Sequence, residues 1–188
     1  VLLAAFTLLL TLHLWPEWTH NPDLSHGLFM PVIFIFLLWE SRRAGPARYH
    51  GGGPALTMLL GAALAAALAA LVAAGLLAAA LGWTSAVVDF CLTAALAGLW
   101  GGGLLVFSDR SIRLLPLNWI SVVAILLWLL CSPLPPGTYS TLTLRLQMGV
   151  TTTVLHSLHL FGIAAARSGN VIDLARTSVG IEEACSGI

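Results

Sequence analysis

A cysteine near the end of the chain carries the most reactive potential. It stands in Glu182-Glu183-Ala184-Cys185-Ser186-Gly187-Ile188, between two carboxylates and a Ser-Gly pair. The thiolate is the nucleophilic form of cysteine, and an ordinary thiol has a pKa of about 8.5. A helix N-terminus or a neighbouring cation lowers that value. Gly187 and Ile188 are expected to open a further membrane helix, which puts Cys185 at its start. Backbone N–H groups there also suit a developing oxyanion. Glu182 and Glu183 oppose the thiolate if they are charged and close, unless one of them binds a basic partner. On these residues alone, the competing reading is an incidental buried cysteine ahead of a span.

Other polar residues stand out against an apolar background. His26 lies between Ser25 and Gly27. It reads either as a substrate contact or as part of a helix start capped by Ser25. His156 and His159 are three apart, on one helix face. Two histidines do not make a metal site, so an interfacial polar face is the favoured reading. Asp89 is the acidic residue deep in an apolar run, one helical turn from Ser85 and from Thr93. An intramembrane carboxylate is a functional candidate, with capping or snorkelling as the alternative. No metal or other cofactor is expected.

The composition sets the environment. Hydrophobic residues make up 59%, charged residues 9%, and the mean hydropathy is +0.95. Soluble domains carry about 25% charged residues. The net charge is zero and all eight basic residues are arginine, so no nucleic-acid surface is expected. Cys91, Cys131 and Cys185 are too few and too scattered for a disulfide framework. Cys91 and Cys131 sit in apolar runs and read as small buried hydrophobes.

A membrane-spanning helix needs about 20 apolar residues. Candidate spans are residues 1–14, 27–39, 54–81, 83–107 and 117–131. Residues 142–163 hold Arg145, Gln147, the three consecutive threonines Thr151, Thr152 and Thr153, and two histidines, and are expected to lie at the interface or only partly inserted. The expected fold is an all-α, multi-pass helical bundle forming a single membrane domain over 1–188. Gly98 and Gly102 would let helices approach closely. The chain begins at Val1 inside an apolar run and carries no basic segment of a signal peptide. It reads as a stretch of a longer protein, lacking both ends.

Arginines set the expected orientation. Arg42, Arg43 and Arg48 follow the second candidate span, and Arg110 and Arg113 follow the fourth. Arginine-rich loops face the cytoplasm, and these two loops are an even number of crossings apart. The loop 15–26 is then outside, with its tryptophans at the interface. Cys185 is outside if 142–163 does not cross, and cytoplasmic if it does; the outer location is favoured. Between them, residues 164–184 change period. Ser168-Gly169-Asn170 is a turn signal, with strand-like Val171-Ile172-Asp173-Leu174 and Val179-Gly180-Ile181 after it. A small extracytoplasmic hairpin or meander is expected, delivering the chain to Cys185.

With these residues in view, the chain resembles the exosortase/archaeosortase family of membrane cysteine transpeptidases. The likeness rests on Leu24-Ser25-His26-Gly27-Leu28-Phe29-Met30-Pro31, followed by Leu37-Leu38-Trp39-Glu40-Ser41-Arg42-Arg43. It continues from Pro133 through Leu146-Gln147 and Gly162-Ile163 to Gly169-Asn170-Val171-Ile172. The most specific stretch is Glu183-Ala184-Cys185-Ser186-Gly187-Ile188. Residues 54–115 match in hydrophobicity alone.

The resemblance implies a thiol protease of the inner (plasma) membrane, acting outside on exported proteins. Its partners would be substrates with a C-terminal sorting tail: a short Pro-Glu-Pro-like motif, a membrane helix and a basic cluster. Cys185 would form a thioester acyl-enzyme, which an envelope or extracellular acceptor then resolves. Glu183, Ser186, Gly187 and His26 would support or contact substrate. The family's arginine and histidine partners are expected on membrane segments beyond Ile188, so residues 1–188 alone are expected to be inactive. The rival readings are a small transporter using Asp89 and the histidines, and a non-catalytic scaffold of exopolysaccharide export.

Overall fold

The computed structural model describes residues 1–174 and 177–180. The chain divides into two compact units, Val1–Leu134 and Pro135–Ile188. The first is helical. It comprises α1 (Leu2–His20), a 3-10 segment (Pro22–Phe29), α2 (Met30–Arg43), α3 (Pro54–Leu81), α4 (Ala86–Phe107), α5 (Trp119–Leu127) and a closing 3-10 turn (Trp128–Leu130). Among the described residues, three helical segments are long and apolar enough to cross a membrane: Pro22–Arg43, Pro54–Leu81 and Ala86–Phe107. Without water, a backbone can satisfy its own polar groups only in such closed hydrogen-bonding patterns.

α3 and α4 form an antiparallel pair closed by Gly82, whose φ of 87° suits glycine. Their interface uses small residues. A Cβ on Gly98 would stand 3.0 Å from that of Ala67 and 3.3 Å from Ala63 O. One on Gly102 would stand 3.1 Å from Leu64. Dispersion over close-packed surfaces, rather than water exclusion, joins helices in lipid, so small residues there bring the backbones together. Leu68, Val72 and Leu76 of α3 are exposed on the free face.

Two expectations about helix length need correction. The polar stretch beginning at Trp15 is not a loop: α1 continues through Pro16 to His20. A proline in a helix removes one backbone bond, but here the last turn is held from outside. Trp18 is buried there and donates its indole N–H to Cys131 O at 2.7 Å. Ser25 is also not a helix N-cap. Asn21 caps the 3-10 segment by accepting from Asp23 N, while Ser25 Oγ donates to Pro22 O.

The second correction concerns 117–131. That region forms an apolar helix over Trp119–Leu130 only. Twelve residues rise about 18 Å, well short of a ~30 Å hydrocarbon core. Its start is fixed by Asn118, which accepts from Ser121 N while Ser121 Oγ accepts from Asn118 N. Asn118 also joins α2: Ser41 Oγ donates to Asn118 Oδ1, and Asn118 Nδ2 donates to Ser41 O. Gly45 leaves the room for this, since a Cβ there would collide with the Asn118 amide.

The core of this unit gathers Leu10, Leu14, Trp18, Phe34, Leu96 and Trp128. Phe34 makes T-shaped contacts with Trp100 (centroids 4.9 Å apart) and with Trp128 (5.8 Å). The last turn of α2, with Arg42 and Arg43, and the loops bearing Arg48, Arg110 and Arg113 lie at one end. His50 pairs with Asp109 in a parallel bridge, and Leu117 N donates to Arg48 O. The C-termini of α1 and α5 and the N-terminus of α4 form the opposite end.

The second unit holds α6 (Pro136–Leu160) and strands β1 (Ala165–Ser168), β2 (Val171–Leu174) and β3 (Ser178–Gly180). α6 ends in a Schellman motif: Gly162, at φ 74°, donates to His159 O and Ile163 donates to Leu158 O. The strands form an antiparallel sheet in the order β1-β2-β3, with Arg167 opposite Ile172 and Ile172 opposite Val179. Gly169, at φ 67°, supplies the positive φ that the first position of a two-residue II′ hairpin turn requires. The expected mixture is therefore present: a helical membrane protein with a small antiparallel sheet near its C-terminal end. α6 is not among the described helices apolar enough to span.

Candidate functional site

Cys185 and its neighbours Glu183, Ser186 and Gly187 lie outside the described residues. The last described element before them is β3, which ends at Gly180, five positions ahead of the cysteine. Arg167 braces the sheet: Nε donates to Gly169 O at 2.8 Å and Nη1 donates to Thr152 Oγ1 of α6 at 2.7 Å. His159 Nε2–H donates to Ala165 O, joining α6 to β1, and His156 is bonded to Thr152 O one turn back. Each histidine is thus engaged with backbone. Among the described residues no cluster of three or more metal-ligating side chains exists.

His26 belongs to a clasp at the end of the helical unit opposite the arginines. A helix leaves its last carbonyls without partners. Here Leu130 O accepts from His26 Nε2–H at 2.9 Å, and Cys131 O accepts from Trp18 Nε1–H at 2.7 Å. Donation fixes the His26 tautomer, with the proton on Nε2. Gly27 makes the arrangement possible. A Cβ there would collide with the Trp18 indole at Nε1 and would stand 2.6 Å from Cε2. The Ser25-His26-Gly27 sequence therefore holds the point where the chain leaves α5 for Pro133-Leu134. Buried Ser132 Oγ and Trp128 Nε1 beside it have no hydrogen-bond partner among the described residues.

Asp89 is buried in the first turn of α4, and its Oδ1 accepts from His13 Nε2–H of α1 at 2.8 Å. Trp100 Nε1–H donates to Thr7 Oγ1 at 2.9 Å, a second tie between the same two helices. The carboxylate is therefore engaged with a side chain, neither capping α4 nor reaching for solvent. A carboxylate in a low-dielectric interior needs such a partner. Sequence reasoning singled out Asp89, missed His13, and placed Trp18 at the interface, where the structure buries it. A signal for His13 was present: it is an ionisable residue in the run Leu12-His13-Leu14, at a depth in α1 matching that of Asp89 in α4. No local signal pointed to Trp18, whose partner is 113 positions away.

Of the other cysteines, Cys131 is buried with Sγ 3.3 Å from Leu127 O, and Cys91 is half-buried; both are free thiols. A protein-family model described as transmembrane exosortase (Exosortase_EpsH) matches residues 18–188. That match begins at Trp18 and takes in the clasp, the sheet and the Cys185 segment. No curated protein and no solved structure matches the chain.

Proposed function

The chain belongs to the transmembrane exosortase family, and from that premise we propose that it acts as a membrane cysteine transpeptidase with Cys185 as its nucleophile. The family match, whose range 18–188 includes the one cysteine in a polar sequence setting, carries the reading. Cys91 and Cys131 are free thiols within apolar runs, half-buried and buried, and read as small packing residues. Cys185 stands in the polar sequence Glu182-Glu183-Ala184-Cys185-Ser186-Gly187.

The reaction would proceed by acyl transfer. The Cys185 thiolate attacks a backbone carbonyl carbon in the substrate's sorting tail. The scissile C–N bond breaks, and the leaving amine takes a proton. A thioester joins the upstream protein to Sγ. An acceptor amine or hydroxyl, or water, then attacks the thioester and releases the thiol. Activating arginine and histidine side chains are implied by the family resemblance on segments beyond Ile188. The substrate is an exported protein with a tail made of a short motif, a membrane helix and a basic cluster.

The orientation follows from charge. Both arginine-bearing loops meet at one end of the helical unit, so that end is assigned to the cytoplasm. The clasp end then faces the periplasm or the outside, where exported tails arrive. The test uses the full-length protein with a co-expressed substrate tail. Cys185→Ala and Cys185→Ser should each leave the tail uncleaved. Normal processing by Cys185→Ala would sink the assignment.

A further inference from the structure

The second unit fixes its sheet to α6 at two points, and Arg167 makes one of them. His159 Nε2–H donates to Ala165 O at 2.8 Å, and Arg167 Nη1 donates to Thr152 Oγ1 at 2.7 Å. Thr152 and His159 lie about two turns apart on α6, ~10 Å along its axis. One attachment would let the sheet pivot; two set its direction as well. The acceptor is itself held. Thr152 Oγ1 donates its own proton to Met148 O at 2.7 Å, so it meets the guanidinium with a lone pair. Arg167 Nε donates to Gly169 O at 2.8 Å, which ties the same side chain to the hairpin turn.

The anchor is carried across the sheet. Arg167 stands opposite Ile172, and Ile172 opposite Val179. Ile172 is buried, whereas all three residues of β3 are exposed. β3 is therefore placed by its pairing with β2 rather than by side chains in a core. From its end at Gly180 the chain has five positions to Cys185. Arg167 is exposed and makes no ion pair among the described residues. Exposed polar contacts of long side chains add little to stability. What two bonds to one planar guanidinium supply is a fixed geometry.

We propose that Arg167 is a positioning residue for the Cys185 nucleophile. It acts through Thr152 and the β1-β2-β3 sheet, not by touching substrate or thiol. The inference rests on the reading of Cys185 as the nucleophile. A reacting group displaced by about 1 Å can lose on the order of a hundredfold in rate, so a sheet free to pivot is enough to slow acyl transfer.

The experiment follows processing of the co-expressed substrate tail by the full-length protein, with Cys185→Ala as the reference for no reaction. Arg167→Ala should slow processing roughly tenfold to a hundredfold, with the unfolding midpoint in detergent unchanged. Thr152→Val removes the acceptor at nearly constant shape and should give the same loss. The two changes together should be no slower than either alone, because both break one contact. Thr152→Ser keeps the hydroxyl and should process at the parent rate, as should Arg145→Gln, which removes a different cation from the same unit. Alkylation of Cys185 by iodoacetamide should keep its pH midpoint in Arg167→Ala. A raised midpoint would mean that the Arg167 charge acts on the thiolate directly, and would overturn the proposal. Multiplied defects in the double variant, a normal rate in Thr152→Val, or an unfolding midpoint that falls with the rate would overturn it too. If Cys185→Ala is inactive while Arg167→Ala is normal, this inference alone fails. Normal processing by Cys185→Ala sinks the nucleophile assignment and this inference with it.

Discussion

Gly27→Ala is the smallest change that should disturb the clasp. The added methyl would meet the Trp18 ring at the nitrogen that donates to Cys131 O. Trp18 is 1% exposed, so its ring has no open space to swing into. One methyl forced into a packed core costs about 1–3 kcal/mol. If the indole instead retreats, Cys131 O loses its donor, and a buried unsatisfied carbonyl costs about 1–3 kcal/mol. Either route predicts a loss of about 2 kcal/mol. The assay is denaturant unfolding of the full-length protein in detergent, repeated with Trp18→Leu and with the double variant. Trp18→Leu removes both the ring and the bond, so Gly27→Ala should then cost little. The cycle should return a coupling of about 1–2 kcal/mol, within the range for residues in contact. A Gly27→Ala change within about 0.5 kcal/mol of the parent, the scale of an inert surface substitution, would refute the reasoning. Strict additivity with Trp18→Leu would refute it equally.

The remaining expectations concern other parts of the molecule. His13→Leu should destabilise by about 3–5 kcal/mol by leaving the Asp89 carboxylate buried and alone, while His13→Leu with Asp89→Leu should recover most of that in the same unfolding assay. Asn118→Ala should cost about 2 kcal/mol, at the upper end for a lost cap, since Ser41 loses its partner too; an unchanged midpoint would refute the shared role. Asp109, in the loop after α4, is held below the usual carboxylate range by the Ser111 hydroxyl and then by the Ser111 N–H. A depressed folded value contributes stability above the ordinary carboxylate pKa and loses it as pH falls through the folded value. Ser111→Ala should therefore move the Asp109 titration upward by NMR, and an unmoved titration would contradict the assignment. A topology reporter fused after Ser168 in the full-length protein should give an extracytoplasmic signal, and a cytoplasmic one would overturn the orientation.

Much of this protein was legible from local pattern. The apolar runs at 54–81 and 83–107 became α3 and α4 nearly residue for residue, because a chain in lipid must close its own backbone hydrogen bonds. Gly169 and Asn170 announced the hairpin turn, and β2 and the last two residues of β3, Val179 and Gly180, fell where the strand-like residues stood. Local pattern misjudged α1 at Pro16 and the length of α5. In each, a tertiary contact or cap decided the boundary: the Trp18 bond to Cys131 O in one, and the Asn118 box in the other.

By itself the sequence determined the solvent, the helix-rich class, the turn glycines and the family stretch around Cys185, all of which depend on composition or on neighbours a few positions apart. Only the tertiary structure decided which polar groups meet. His13 finds Asp89 across 76 positions, His26 finds Leu130 O across 104, and Gly27 is required by a tryptophan on another helix. The physical reason lies in the medium. A helix in lipid is apolar on its lipid face and on its buried face alike, so periodicity no longer marks the inward side. Partner choice then rests on close packing and on a few desolvated hydrogen bonds, and these exist only once the helices are side by side.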